Sequence, residues 1–83
     1  MLLRPEAIKL EQIYVPARLH NTLDQSKVEQ IAESILEVGQ TTPIRVRRDT
    51  NRFVLVSGYH RLEAMKLLGE DTIQALIVAS PRP

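Results

Sequence analysis

Two side chains with chemical potential stand side by side in this chain. His60 and Arg61 follow Gly58 in the stretch Ser57-Gly58-Tyr59-His60-Arg61. An apolar run at 53–56 precedes the stretch and an apolar-faced helical pattern follows it, so Gly58 marks a strand-to-helix joint. The first turn of a helix leaves backbone N–H groups unpaired and carries partial positive charge. A phosphate is the natural occupant of such an end. His60 and Arg61 are expected to add charge-assisted donors around it. Tyr59 suits packing, or stacking on a base, better than nucleophilic attack. Gly58 supplies backbone geometry first, and close ligand approach follows from it. No residue pattern identifies a catalytic group, because no general base stands near Gly58.

Composition narrows what surrounds this corner. The chain has 83 residues, enough for one small domain spanning 1–83. Hydrophobic residues make up 43%, with two Tyr, one Phe and no Trp, so the core must rest on Ile, Leu and Val. Eleven basic and ten acidic residues give net +1, short of the strongly basic balance of a dedicated DNA-binding domain. With no cysteine, disulfides, thiolate metal sites and thiol catalysis are excluded. His20 and His60 are too few for a zinc site, so no metal ligands are assigned. No apolar run is long enough to span a bilayer, and the N-terminus lacks the features of a signal peptide. The expectation is a cytoplasmic protein with no membrane partner.

The elements that must position the corner can be taken in order. Weak alternation predicts a short strand at 7–10, then a turn into an extended segment, with residues 17–22 as loop. Asp24 is a good N-cap for a helix at 25–38. Val28, Ile31, Ala32, Ile35 and Leu36 make its buried stripe, Glu29, Glu33 and Glu37 its outer side, and Gly39 its stop. A hairpin follows, with Ile44 and Val46 facing one way and Arg45 and Arg47 the other, and a polar turn at 48–52. The run at 53–56 reads as a central strand covered on both faces. A second helix at 59–68 is stopped by Gly69, a closing strand runs over 72–79, and residues 80–83 form a frayed tail. The order β–α–β–β–α–β predicts an α/β (α+β) domain with a small mixed sheet and two main helices.

Several stretches together resemble the ParB N-terminal and sulfiredoxin superfamily, from Ile8 to Val78. They are the helix entry Leu23-Asp24-Gln25-Ser26-Lys27-Val28, the exit Glu33-Ser34-Ile35-Leu36-Glu37-Val38-Gly39, Thr42-Pro43-Ile44-Arg45-Val46, Ser57-Gly58-Tyr59-His60-Arg61, Leu68-Gly69 and Thr72-Ile73. The resemblance implies a nucleotide site at the Gly58 corner. Sulfiredoxins carry Gly-Cys-His-Arg there, with the Cys as catalytic thiol. Gly58, His60 and Arg61 match, but Tyr59 replaces the Cys, and a phenol cannot perform that sulfur chemistry. ParB proteins carry Gly-Glu-Arg-Arg and use it to bind CTP phosphates; Gly58 and Arg61 match. A related free-serine kinase group carries Asp-Gly-His-His-Arg, and Ser57 stands in place of its Asp. Lys27 matches a nucleotide-contacting lysine of sulfiredoxins, and Ser34 stands where they have Thr. Lys27, Gln30 and Ser34 lie at i, i+3 and i+7 on one helix face. If that face turns toward Gly58, Lys27 joins His60 and Arg61 around one anion.

The expected function is therefore a ParB-like nucleotide-binding domain associated with DNA partition or regulation. CTP or ATP, with or without Mg²⁺, is the implied ligand. Arg45, Arg47 and Arg48 are candidate non-specific DNA contacts, set against the blander reading of a solvated sheet face. Exposed sheet edges are compatible with a homodimer. Two alternatives remain: a small ATP/ADP-dependent phosphotransferase or nucleotide hydrolase, and a non-catalytic protein-interaction module.

Overall fold

Asp24 opens the first long helix, α1 (Gln25–Val38), as the sequence predicts. Its Oδ1 accepts from the Ser26 amide at 3.0 Å and from the Ser26 hydroxyl at 2.7 Å. The structure is a computed structural model that describes residues 3–79, so the expected tail at 80–83 lies outside the described residues. Five strands are present among the described residues: β1 (Glu6–Lys9), β2 (Ile13–Tyr14), β3 (Ile44–Asp49), β4 (Arg52–Ser57) and β5 (Thr72–Val78). The second long helix is α2 (Tyr59–Leu67). The strands form one mixed sheet in the order β1-β5-β3-β4-β2. β3 runs parallel to β5 and antiparallel to β4, while β2 runs parallel to β4.

The layers stack in a simple way. Leu62 and Met65 of α2 pack on Ile8, Ile44, Val46, Leu55, Ile73 and Ala75 of the sheet. Val28 and Ala32 of α1 then pack on Ala64 of α2, with Ile35 reaching both clusters. α2 is thus sandwiched between sheet and α1, which explains why its small Ala64 is fully buried. Strand pairing puts Arg45 and Arg47 on the same side of the sheet as Leu76 and Val78, away from the face α2 covers. The alternation expected across Ile44–Arg47 is present, with Ile44 and Val46 buried and Arg45 exposed.

The structure differs from expectation at five places. A two-residue strand, β2, joins the sheet; two residues carry no legible period, so the sequence showed only an extended segment. Residues Ala17–Thr22 form a 3-10 helix rather than loop, opened by the Leu19 N–H donating to Pro16 O and closed by the Thr22 hydroxyl donating to Leu19 O at 2.6 Å. The polar turn is tighter than 48–52, since β3 and β4 run to Asp49 and Arg52. Val56 is 38% exposed, so the run at 53–56 is covered on both faces only at Val54 and Leu55. Leu36 leaves the buried stripe of α1 and is 73% exposed, because it lies well over a right angle round the helix from Ile31, on the far side of the stripe's centre.

Two devices close the frame. Gly69 ends α2 with φ +74°, its N–H donating to Lys66 O while the Glu70 N–H donates to Met65 O. That is a Schellman closure. The Gln40 side chain stands in for a strand residue: its Oε1 accepts from Gln74 N at 2.9 Å, and its Nε2 donates to Gln74 O at 3.0 Å.

Candidate functional site

β4 changes register just before it ends. Arg45 pairs with Ser57 while Val46 pairs with Leu55, leaving Val56 as the extra residue of a bulge. Such bulges re-aim the end of a strand. Gly58 then takes the left-handed conformation, φ +100° and ψ +28°, and becomes the N-cap of α2. A Cβ there would lie 2.5 Å from Ile44 Cγ2 and 2.9 Å from Ile44 Cβ. The corner is therefore closed on its inner side by fully buried Ile44 and has room only for glycine.

With no side chain at Gly58, nothing caps α2. The Gly58 carbonyl accepts from Leu62 N at 3.0 Å, and the amides ahead of Leu62 are left without helical partners. Arg61 is half-buried and makes neither of the two ion pairs among the described residues, which are Arg52–Asp49 and Lys66–Glu63. Tyr59 packs against the main core cluster, with its ring 6.4 Å from that of His60 at 57°.

His60 behaves differently from the expected second cation. Its Nε2 accepts a hydrogen bond from the Asp24 backbone N–H at 3.0 Å. A ring nitrogen that accepts must keep its lone pair, and an imidazolium has none to offer. His60 is thus a neutral ring in this arrangement, and Arg61 alone supplies full charge at the start of α2. Sequence reasoning missed this contact, which joins residues 36 apart.

The same contact brings the two helix starts together. Asp24 caps α1, and Lys27 donates its backbone N–H to Asp24 O at 3.1 Å. The Lys27 side chain therefore leaves the first turn of α1, beside the residue His60 holds. The Ser26 hydroxyl, and after it the Ser26 and Lys27 amides, hold the Asp24 carboxyl below its ordinary value. Ser34 is exposed on the same flank of α1. It lies about 10 Å beyond Lys27 along the axis, at about 1.5 Å per residue. One phosphoryl group cannot rest on both; a ligand that touches both is extended.

The candidate DNA contacts are split. Arg45 and Arg47 share the helix-free face, but Arg48 pairs with Phe53 and its guanidinium sits 5.4 Å from that ring. Phe53 packs on the covered face, so Arg48 points there by the strand's period of two. Arg52, on the helix-free side, lies 4.0 Å over the Tyr14 ring and is paired with Asp49. One surface hollow, of about 360 Å³, lies away from the corner and is lined by Lys9, Leu10, Glu11, Glu70 and Asp71. Its three carboxylates oppose an anion. Among the described residues no cluster of His, Asp and Glu is arranged to hold a metal, and no helix is long and apolar enough to cross a membrane.

Comparison with known proteins gives consistent results. A family model, the ParB N-terminal domain, matches residues 4–82. A probable chromosome-partitioning protein ParB of Campylobacter jejuni is 38% identical over 71 residues, covering 84% of this chain and 26% of that protein. The chloroplastic/mitochondrial sulfiredoxin of Arabidopsis thaliana is 36% identical over 70 residues, 84% of this chain and 56% of the relative. This chain therefore spans about a quarter of the first relative and just over half of the second. The crystal structure of the Arabidopsis sulfiredoxin superposes with TM-score 0.83 at 32% identity, covering 93% of this chain and 86% of that one. Two more distant structures share the fold. The ParB of Caulobacter crescentus complexed with CTP-gamma-S gives TM-score 0.79 at 22% identity, covering 94% of this chain and 46% of that one. A free serine kinase in complex with AMP gives 0.75 at 20%, covering 92% and 31%.

Proposed function

Because this chain belongs to the ParB N-terminal domain family, we propose that it binds a nucleotide through its phosphates at the start of α2. The observation that carries the reading is the uncapped first turn after left-handed Gly58, with the Arg61 guanidinium outside any ion pair among the described residues. Backbone amides and a guanidinium together are what a phosphoryl group requires. Lys27 adds a second cation from the first turn of α1, Tyr59 offers a ring edge, and Ser34 meets the far end of an extended ligand. Support also comes from two proteins of the same fold, one complexed with CTP-gamma-S and one with AMP. CTP and ATP are accordingly the ligands to try, with Mg²⁺ as a companion of the phosphates rather than of any protein carboxylate. No residue is assigned to catalysis.

We extend the reading to DNA partition in the cytoplasm; the Campylobacter jejuni relative, a probable chromosome-partitioning protein, supports the partition part. In that setting Arg45 and Arg47 are the side chains for non-specific backbone contact, and Arg48 is not. Pairing of two copies through a sheet edge belongs to the same proposal.

Calorimetric titration with CTP, ATP and GTP, each with and without Mg²⁺, tests the reading. One triphosphate binds, and Arg61→Ala weakens it by about 10- to 100-fold, the value of a hydrogen bond to a charged group at about 1.5–3 kcal/mol. Absence of heat from all three overturns it.

A further inference from the structure

The two histidines of this chain meet opposite partners. His20 Nε2 lies 3.2 Å from the Val15 carbonyl oxygen. A carbonyl only accepts, so that nitrogen must carry the proton. His60 Nε2 receives the Asp24 N–H at 3.0 Å. A backbone amide only donates, so that nitrogen must be bare. In a neutral imidazole the proton then sits on the other nitrogen. His60 Nδ1 has no protein partner among the described residues, and no side-chain nitrogen or oxygen there is both buried and unsatisfied. Nδ1–H is thus the one polar group His60 has left for a ligand.

We propose that the Asp24 backbone amide fixes His60 in its neutral, Nδ1-protonated form and makes it an uncharged, directional donor to the ligand at the start of α2. The inference rests on reading that corner as a nucleotide's phosphate site. Asp24 is a positioning residue here and acts through its main chain. Its carboxylate is engaged with Ser26, so one residue both caps α1 and sets the proton of a ring on α2. The arrangement suits a site where Arg61 already supplies charge. A neutral donor adds direction without requiring a second cation, and it ties ligand contact to the position of α1.

Long-range ¹H–¹⁵N correlation spectra of the imidazoles in the intact chain, at neutral pH, test this directly. Two neutral tautomers are expected, His60 with Nδ1–H and His20 with Nε2–H, the second serving as internal reference; an Nε2–H or imidazolium His60 overturns the proposal. Amide exchange gives a second measurement. The Asp24 N–H is expected to be protected in the wild type and in His60→Gln, whose carboxamide oxygen reaches where Nε2 stood. In His60→Ala it is expected to exchange about 2- to 10-fold faster, the loss of one hydrogen bond. Equal exchange in all three overturns the strap. Addition of CTP or ATP should then move the His60 Nδ1 resonance. If the nucleotide shifts the Arg61 signals and leaves Nδ1 unmoved, the phosphate site stands and the donor role falls. If no nucleotide shifts either, the phosphate site itself falls and takes the donor role with it, whatever the tautomer.

Discussion

The two long helices begin in opposite ways and are joined at their starts by the 3.0 Å hydrogen bond from Asp24 to His60. α1 starts at Asp24, whose carboxylate fills its own first turn. α2 starts at Gly58, which has no side chain to offer, and its first turn is followed by a guanidinium. A helix start that supplies its own anion is finished as structure. One that withholds it leaves donors for something else. The contrast is sharpened by the link between them, because the Asp24 amide that donates to His60 belongs to the finished start and orients a side chain of the open one.

The largest way to break this contrast is Gly58→Ala. The new methyl meets Ile44 at 2.5 Å, on a backbone that L-residues avoid. The left-handed conformation costs about 1–2 kcal/mol and the overpacking about 1–3. A loss of about 3 kcal/mol in urea unfolding is expected, with nucleotide binding lost as the turn shifts. Asp24→Ala is smaller and separates the two starts. It removes the cap and costs about 1 kcal/mol, a fall of about 4–8 °C in Tm for a domain this size. The main chain still donates to His60, so CTP or ATP affinity should change by less than about threefold. The smallest effect is acid sensitivity. The Ser26 hydroxyl holds the Asp24 carboxyl low, and the Thr50 amide, then Arg52, hold Asp49 low. Both bind protons less readily folded than unfolded, so their contribution is complete above the ordinary carboxylate value of about 4 and fades as pH falls below it. A stability profile measured by urea titration should therefore decline below about pH 4, and the decline should be shallower in a double Asp24→Asn, Asp49→Asn variant.

Much of the scaffold could be read from local pattern. α1 spans 25–38 as its cap, stripe and glycine stop indicated, and Lys66 pairs with Glu63 three residues away at 3.0 Å. These are consequences of nearest-turn physics, written within four residues. What failed was short or depended on a neighbour distant in the chain. β2 is two residues held by β4, and Leu36 is exposed because α2 covers only one side of α1. Arg48 parts from Arg45 and Arg47 because strand alternation continues through Asp49, where a turn was expected.

The chain by itself determined that a glycine joint with Arg61 three residues on would open a helix, and that no thiol chemistry could occur beside it. Those facts are carried by residue type and spacing alone. Only the tertiary structure decided that Ile44 would forbid any other residue at Gly58 and that His60 would spend one nitrogen on Asp24. Both depend on through-space approach between segments 14 and 36 residues apart. A side chain's protonation state is set by whichever group it meets, and the order of residues along the chain does not name that group.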